Sequence, residues 1–125
     1  MFPNSGLDWI SAQLFTNTSA GTRGCGFAAL SENATAPASG DTTVAGEITT
    51  NGLARKDVAN KTHTAGTNVT VLDDSWTATG SFTAVQKVGY LTASSAGTLV
   101  IEKTFSSVAL NSGDIIQVTL TVTGP

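Results

Sequence analysis

Residues 114–123 alternate between apolar and polar side chains. Successive side chains of an extended strand point to opposite faces of its sheet. Ile116, Val118, Leu120 and Val122 therefore share one face, and the residues between them, which are mostly Thr and Gln, share the other. The pattern predicts a strand with one face in a protein core and the other in water.

A second alternation runs through residues 75–84 and predicts another long strand. Its polar positions are Thr or Ser, and β-branched Thr suits the exposed face of a pleated sheet. The apolar positions predict an inner face. They are Trp76, Ala78, Gly80, Phe82 and Ala84.

Shorter extended segments separated by turn signals occupy the rest of the chain. They are predicted over residues 24–30, 53–64, 69–72, 87–91 and 98–105. Asn51-Gly52 is a strong turn signal because both residues tolerate positive φ. Residues 34–43 predict a loop, and Asp73-Asp74 predicts a bulge or loop. Half of the six Lys and Arg residues fall in residues 53–64, which predicts an edge strand protected by charge.

These segments amount to about seven or eight short antiparallel strands, spaced as in an all-β sandwich or barrel. We expect a single-domain β-sandwich over residues 23–125, either immunoglobulin-like or jelly-roll-like. Its core is predicted to contain the inner face of the last strand and four aromatic side chains. These are Trp76, Phe82, Tyr90 and Phe105.

Residues 1–22 precede this domain and form a predicted N-terminal arm, short helix or strand. The arm is rich in large apolar side chains, and aromatic and apolar groups dominate contact energies between proteins. It either closes the core of its own chain or docks on a neighbouring subunit. The candidate interface residues are Leu7, Trp9, Ile10, Leu14 and Phe15.

Composition narrows the possible partners. The 125 residues are only 12% charged, about half the usual share for a soluble domain. The net charge of −3 argues against nucleic acid, which needs a basic surface. The single cysteine, Cys25, excludes an intrachain disulfide. No secretory pattern or membrane-length apolar run is visible, so we expect a soluble protein made in a cytoplasm, with no membrane partner.

Candidate chemistry is sparse. His63 is the only histidine, and a pairing with Cys25 as base and nucleophile competes with a simpler interpretation of Cys25 as a small buried hydrophobe. Residues 21–26 are glycine-rich but lack the Gly-Lys-Ser/Thr ending of a phosphate loop. Asp73-Asp74 and Asp114 are conceivable calcium ligands but lack the spacing of a calcium loop.

Paired carboxylates for glycoside hydrolysis are a further hypothesis, drawn from Glu32, Asp41 and Glu47. The sequence around them offers few aromatic side chains for a sugar platform, since aromatics are 6% of the chain. Together, these observations predict no catalytic residues, no metal site and no cofactor.

Several motifs resemble a pattern seen in small structural proteins of tailed bacteriophages. In the first half they are residues 29–32, 36–37, 40–43, 46–48 and 51–55. In the second half they are residues 82–89, 93–99, 105 and 112–114. The resemblance spans about residues 24–122, leaves the N-terminal arm outside, and is shared by head-associated and tail-associated proteins.

The resemblance implies a virion structural protein and not an enzyme. The first expectation is a capsid decoration, or cement, protein that binds the outer shell as a homo-oligomer, a trimer, and stabilises contacts between major capsid subunits. An alternative is a tail, neck or fibre-base protein. An alternative of another class is a small carbohydrate-binding module for host attachment, with its ligand near Trp76 or Tyr90.

Overall fold

The computed structural model describes residues 3–6 and 26–123 of the chain. Its strands are β1 (Phe27–Ser31), β2 (Lys56–Asp57), β3 (Asn60–His63), β4 (Val69–Thr77), β5 (Phe82–Leu91), β6 (Leu99–Leu110) and β7 (Ile115–Thr123). They form an antiparallel four-stranded sheet, β2-β1-β5-β6, and an antiparallel three-stranded sheet, β3-β4-β7. The predicted all-β, sandwich-like fold is confirmed.

One main core joins the inner faces of the two sheets. Leu30 of the four-stranded sheet and Leu72 of the three-stranded sheet are both fully buried in it. Trp76 and Tyr90 also lie in this core, as the sequence predicts, and the Trp76 indole N–H is satisfied by the Ala54 carbonyl at 3.1 Å. Phe82 and Phe105, predicted in the same core, pack against it only half-buried.

The alternation in β7 is confirmed. Ile116 is buried, whereas its neighbour Ile115 is 67% exposed on the opposite face. Val118 and Leu120 point inward with Ile116 but are only half-buried. The inner face of β7 is therefore well covered at Ile116, near the start of the strand, and more exposed at Val118 and Leu120.

The prediction of one strand through residues 75–84 is wrong. β4 ends at Thr77 and β5 begins at Phe82, because the chain crosses there from the three-stranded to the four-stranded sheet. The Ala78 N–H donates to the Asp114 carbonyl at 2.8 Å, and the Ala78 carbonyl accepts the Gly113 N–H at 2.7 Å. These hydrogen bonds fix the crossing beside the turn between β6 and β7.

The turn predicted at Asn51-Gly52 is confirmed and packs on this crossing. Both residues have positive φ, at 55° and 82°, and the Leu53 N–H donates to the Thr50 carbonyl across the turn. A Cβ at Gly52 would lie 2.1 Å from the carbonyl oxygen of Thr77, so only glycine fits there.

The charged segment at residues 53–64 forms two edge strands instead of one. β2 lies at the edge of the four-stranded sheet and β3 at the edge of the three-stranded sheet. Between them the buried Val58 donates its N–H to the Gly26 carbonyl at 2.9 Å. The position of the charges at sheet edges is confirmed, while the single strand is corrected because the chain changes sheets at Val58.

The prediction of a bulge or loop at Asp73-Asp74 is also wrong, since both residues lie within β4. Asp74 points into the protein with its side chain only 2% exposed, and the Lys56 ammonium lies 3.2 Å from its Oδ1. The same ammonium lies 5.1 Å from the centre of the Trp76 ring. A buried carboxylate is tolerated in the strand because this cation neutralises it.

The loop between β1 and β2 covers the outer face of the four-stranded sheet. Val44 of this loop packs with Ala29 and Leu91 in a second, smaller core. Arg55 holds the loop by pairing with both carboxylate oxygens of Glu47, at 2.5 and 2.9 Å. Its remaining terminal nitrogen donates to main-chain carbonyls of the β5–β6 loop. They belong to Ala93 and Ala96.

The two adjacent isoleucines of β7 provide a test of this fold. We expect Ile116→Asp to lower the free energy of unfolding by at least ~4 kcal/mol, because it replaces buried apolar area with a buried unpaired charge. Ile115→Asp places the same charge in water and should change the free energy of unfolding by less than ~1 kcal/mol. Urea unfolding followed by tryptophan fluorescence measures both, and equal losses would refute the assignment of the two faces.

Candidate functional site

The five candidate interface residues predicted from the sequence lie outside the described residues, as does Cys25. They are Leu7, Trp9, Ile10, Leu14 and Phe15. The structure therefore assigns them no position, and their role as an interface stays a prediction. Within the described residues, the candidate site lies on the sandwich itself.

An apolar groove opens between β6 and β7, with a volume of about 420 Å³. We call it the β6–β7 groove. β6 and β7 are the edge strands on this side of their two sheets, so the groove lies where the sandwich is open. Its apolar lining comes from β5, β6 and β7. These residues are Val88, Phe105, Val108, Ile116, Val118 and Leu120.

The strand pattern explains why this groove is apolar. Ile116, Val118 and Leu120 recur every second residue and therefore all face inward. Phe105 and Val108 lie on β6, and Val108 is 38% exposed although it is a large hydrophobic residue. Apolar side chains left open between two edge strands are typical of a surface that binds another segment of protein.

Of the described residues that line the groove, Lys103 is the one with a charged side chain. Lys103 of β6 is exposed and pairs with Val88 of β5 across the sheet, so both lie on the groove side of that sheet. Lys103 and Val108 mark the two ends of the β6 wall. The groove thus combines an apolar floor with a positive charge at one end, and this arrangement favours an apolar partner that carries an acidic residue.

The outer face of β7 is held by a separate polar network. Asp73 of β4 accepts hydrogen bonds from the Gln117 amide at 3.0 Å and from the Thr119 hydroxyl at 3.0 Å. These bonds tie β7 to β4 from the water-facing side. The β7 wall of the groove is therefore supported by its sheet neighbour.

A second cluster of charged groups lies on the opposite face of the four-stranded sheet. The Lys87 ammonium, on a side chain 2% exposed, donates to Asn33 Oδ1 at 2.9 Å and lies 3.5 Å from Glu102 Oε1. Asp41, from the covering loop, accepts the Ala38 N–H at 2.8 Å. A shallow pocket of about 260 Å³ beside Asp41 and Glu102 opens to the surface.

The two carboxyl groups of this cluster have opposite pKa shifts. Burial, together with a hydrogen bond to Asp41, raises the pKa of Glu102 above its ordinary value. The hydrogen bonds from the Ala38 N–H and from Glu102 lower the pKa of Asp41. Among the described residues, nothing donates a hydrogen bond to the buried Glu102 Oε2. The opposite shifts are those expected when a protonated Glu102 donates to an ionised Asp41.

The other acidic residues considered for catalysis are not brought together. Glu47 is bound by Arg55, and Glu32 Oε1 accepts the N–H groups of Thr83 and Ala84 at 2.8 and 2.9 Å. His63 Nδ1 lies 2.9 Å from the Val69 carbonyl across the β3–β4 hairpin. Each of these groups has a local structural contact.

Among residues 3–6 and 26–123, no group of three or more His, Cys, Asp or Glu side chains is arranged to hold a metal ion. Within the same residues, no helix has both the length and the apolar character required to span a membrane.

The aromatic rings proposed to lie near a carbohydrate are not at the surface. Trp76 is 2% exposed and Tyr90 is 1% exposed, and both belong to the main core. A ring must present a face to solvent to stack on a sugar, so neither one provides a platform. The sequence predicted both rings in the core, but the groove itself could not be found without the strand order.

The shared proton predicts opposite pH behaviour for two variants. A raised pKa means that protonated Glu102 stabilises the fold, and this contribution is lost as the pH rises above 4.5 through the raised value. Glu102→Gln cannot lose a proton, so its free energy of unfolding should fall less than the wild-type value between pH 4.5 and pH 8. Urea unfolding across this range measures the difference, and parallel curves would contradict the shared proton.

Asp41→Asn is the matched partner of that variant. The lowered pKa of Asp41 means that its contribution is present above 3.8 and is lost as the pH falls through the lowered value. The Asn variant should therefore lose less stability than the wild type on acidification below pH 3.8. A steeper acid loss in Asp41→Asn than in the wild type would contradict the assignment.

Comparison with models of protein families, with curated proteins and with solved structures found no match to this chain.

Proposed function

We propose that this chain is a non-enzymatic structural protein of a bacteriophage particle, and that it decorates the capsid. In this role it binds the outer surface of the shell as a homo-oligomer, a trimer, and stabilises contacts between neighbouring major capsid subunits. A protein that binds the assembled shell and not its free subunits shifts the equilibrium toward the shell. The resemblance of residues 24–122 to small phage structural proteins is the source of this proposal.

The observation that supports an assembly role most directly is the β6–β7 groove. An apolar surface between two edge strands accepts an extended segment of another chain through side-chain pockets and main-chain hydrogen bonds. Such a surface serves assembly and has no need of catalytic groups. The described part of the chain also keeps His63 and Glu47, two residues considered for chemistry, in local structural contacts.

Copy number tests this proposal. Quantitative mass spectrometry of purified particles should give a ratio to the major capsid protein of about one to one, because a symmetric shell repeats identical contacts at every equivalent position. A ratio of roughly a few per hundred would favour the tail, neck or fibre-base alternative, since those positions are few in a particle. Absence from the particle would refute both.

Addition of the protein to stripped shells tests the mechanism. Particles depleted of this chain should regain thermal stability when the purified protein is added, and the gain should follow its concentration. Ile115→Asp, expected to fold normally, serves as a control for altered surface charge. A shell whose melting temperature does not respond to saturating protein would contradict a cementing role.

A further inference from the structure

We propose that Lys87 and Asn33 react to form an isopeptide bond, an amide that joins their two side chains, with Glu102 as the catalytic residue that transfers the protons. The two side chains already meet, because the Lys87 ammonium donates to Asn33 Oδ1 at 2.9 Å. The inference concerns chemistry within one chain. It therefore does not depend on the proposed role in a particle.

The fold brings the three side chains together on the face of the four-stranded sheet that the β1–β2 loop covers. Lys87 of β5 pairs with Ser31, the last residue of β1, and Asn33 follows two positions later. Glu102 of β6 pairs with Gly89, which is two positions from Lys87 on β5 and therefore on the same face. Strand register thus places the amine between the amide and the carboxyl group.

The side chain of Asn33 is held by its neighbours. Its N–H donates to Ser31 Oγ at 3.0 Å, and that hydroxyl donates to the Ala45 carbonyl at 2.6 Å. Asn33 Oδ1 also accepts the Thr35 N–H at 2.9 Å, in addition to the bond from Lys87. Two donors on this oxygen draw electron density away from Cγ and stabilise the negative charge that develops on Oδ1 when an amine attacks.

The reacting atoms are close to the separation that such an attack requires. The Asn33 C=O bond is ~1.2 Å long, so Cγ lies at most ~4.1 Å from the Lys87 Nζ that is hydrogen-bonded to Oδ1. Near-attack geometries have the reacting atoms ~3–3.5 Å apart. A movement of about 1 Å by the end of the lysine side chain is therefore sufficient.

Glu102 is placed to take the proton that Lys87 must lose before its amine can react. Its Oε1 lies 3.5 Å from Lys87 Nζ, and the two side chains are 5% and 2% exposed. Moving one proton from the ammonium to the carboxylate removes both charges from a site with little access to water. Burial, together with a hydrogen bond to Asp41, raises the pKa of Glu102, which is the direction required of the proton acceptor.

The reaction balances without another reagent. The neutral amine attacks Asn33 Cγ and forms the Nζ–Cγ bond, while the C=O electron pair moves to Oδ1. Glu102 gives its proton to Nδ2 and accepts a second proton from Nζ. The Cγ–Nδ2 bond then breaks, and ammonia leaves and takes the remaining proton from Glu102 as ammonium. The products are one amide, one ammonium ion and an ionised Glu102.

The bond would fasten the start of the covering loop to a central strand. Lys87 and Asn33 are 54 positions apart in the sequence. A covalent link across a long stretch of chain stabilises a fold mainly by restricting the unfolded state. The chain has a single cysteine, so an intrachain disulfide is excluded as a source of the same restriction.

The mass of the intact chain gives the first test. Purified wild-type protein, unfolded and measured by mass spectrometry, should be lighter than its sequence by about 17 Da, because each bond releases one ammonia. A folded wild-type chain that keeps its full mass would overturn the proposal. The measurement uses the isolated protein, so its outcome is separate from the copy number in particles.

Digestion with trypsin locates the lost ammonia. Acylated Lys87 is no longer a cleavage site, so we expect one branched peptide in which residues 24–55 are joined to residues 62–103. Lys56, which pairs with Asp74 and is 42% exposed, is the internal control and should be cleaved as usual. Ammonia lost elsewhere, such as by cyclisation of Asn51 onto the Gly52 nitrogen, would leave Lys87 cleavable and would overturn the assignment.

Matched variants identify the roles of the residues. Lys87→Arg keeps the positive charge but has no nucleophilic amine, so it should retain its full mass, whereas Lys103→Arg, at an exposed lysine, should still lose ammonia. Circular dichroism checks that each variant has normal strand content. A Lys87→Arg chain that is light by the same amount would refute the proposal.

The role of Glu102 requires a rate. Cell-free synthesis, quenched in acid at successive times and followed by mass, should show bond formation in Glu102→Gln slowed by at least roughly a hundredfold, because the amide cannot accept the proton. Glu102→Asp, which keeps a carboxyl group, should recover part of the rate. Equal rates in the wild type and Glu102→Gln would show that Glu102 only contributes to packing and would overturn its assignment.

Discussion

The main-chain hydrogen bonds of Ala78 are the constraint on which the sandwich depends. At this residue the chain passes from the three-stranded to the four-stranded sheet, and both polar groups of its backbone bond to the turn between β6 and β7, at Gly113 and Asp114. The turn at Asn51 joins the same corner, because the Asn51 carbonyl accepts the Thr79 N–H at 2.9 Å. Main-chain hydrogen bonds thus join three segments that are distant in sequence at one end of the sandwich.

That corner also determines where the groove lies. β5 and β7 both begin at this corner but belong to different sheets. β6 pairs with β5 and ends at the corner, so β6 and β7 are the edge strands on the same side of the sandwich. Their inner side chains are well covered beside the corner, at Ile116, and half-buried further along, at Val118. The groove is therefore a consequence of how the two sheets are joined.

Several of the few charged residues form ion pairs with largely buried carboxylates. Arg55, Lys56 and Lys87 each pair with a carboxylate whose side chain is largely buried. Removing one partner of a fully buried pair commonly costs ~3–5 kcal/mol, because the other charge stays buried. The Lys56–Asp74 pair contributes less, since the Lys56 side chain is 42% exposed and water screens it. These pairs hold loops and edge strands in place. They leave a surface even poorer in charge than the 12% composition implies, and such a surface suits close packing in an assembly.

The sequence predicted features that depend on neighbouring residues and missed those that depend on distant ones. The faces of β7 followed from its two-residue period, and the turn at Asn51-Gly52 followed from tolerance of positive φ. Asp74 was misassigned because Lys56, which makes its burial tolerable, is eighteen positions earlier in the sequence. The break after Thr77 was missed because alternation continues through a chain that stays extended while it changes sheets. The groove depends on strand order, which no local pattern contains.

The two open sides of the sandwich differ in a way that directs association. On one side β2 and β3 are short and carry Lys56, Asp57 and Lys61, and charge on a short edge strand discourages pairing with another chain. On the other side β6 and β7 are twelve and nine residues long and enclose apolar side chains. The contrast between a short charged edge and a long apolar one therefore directs association toward the β6–β7 side of the sandwich.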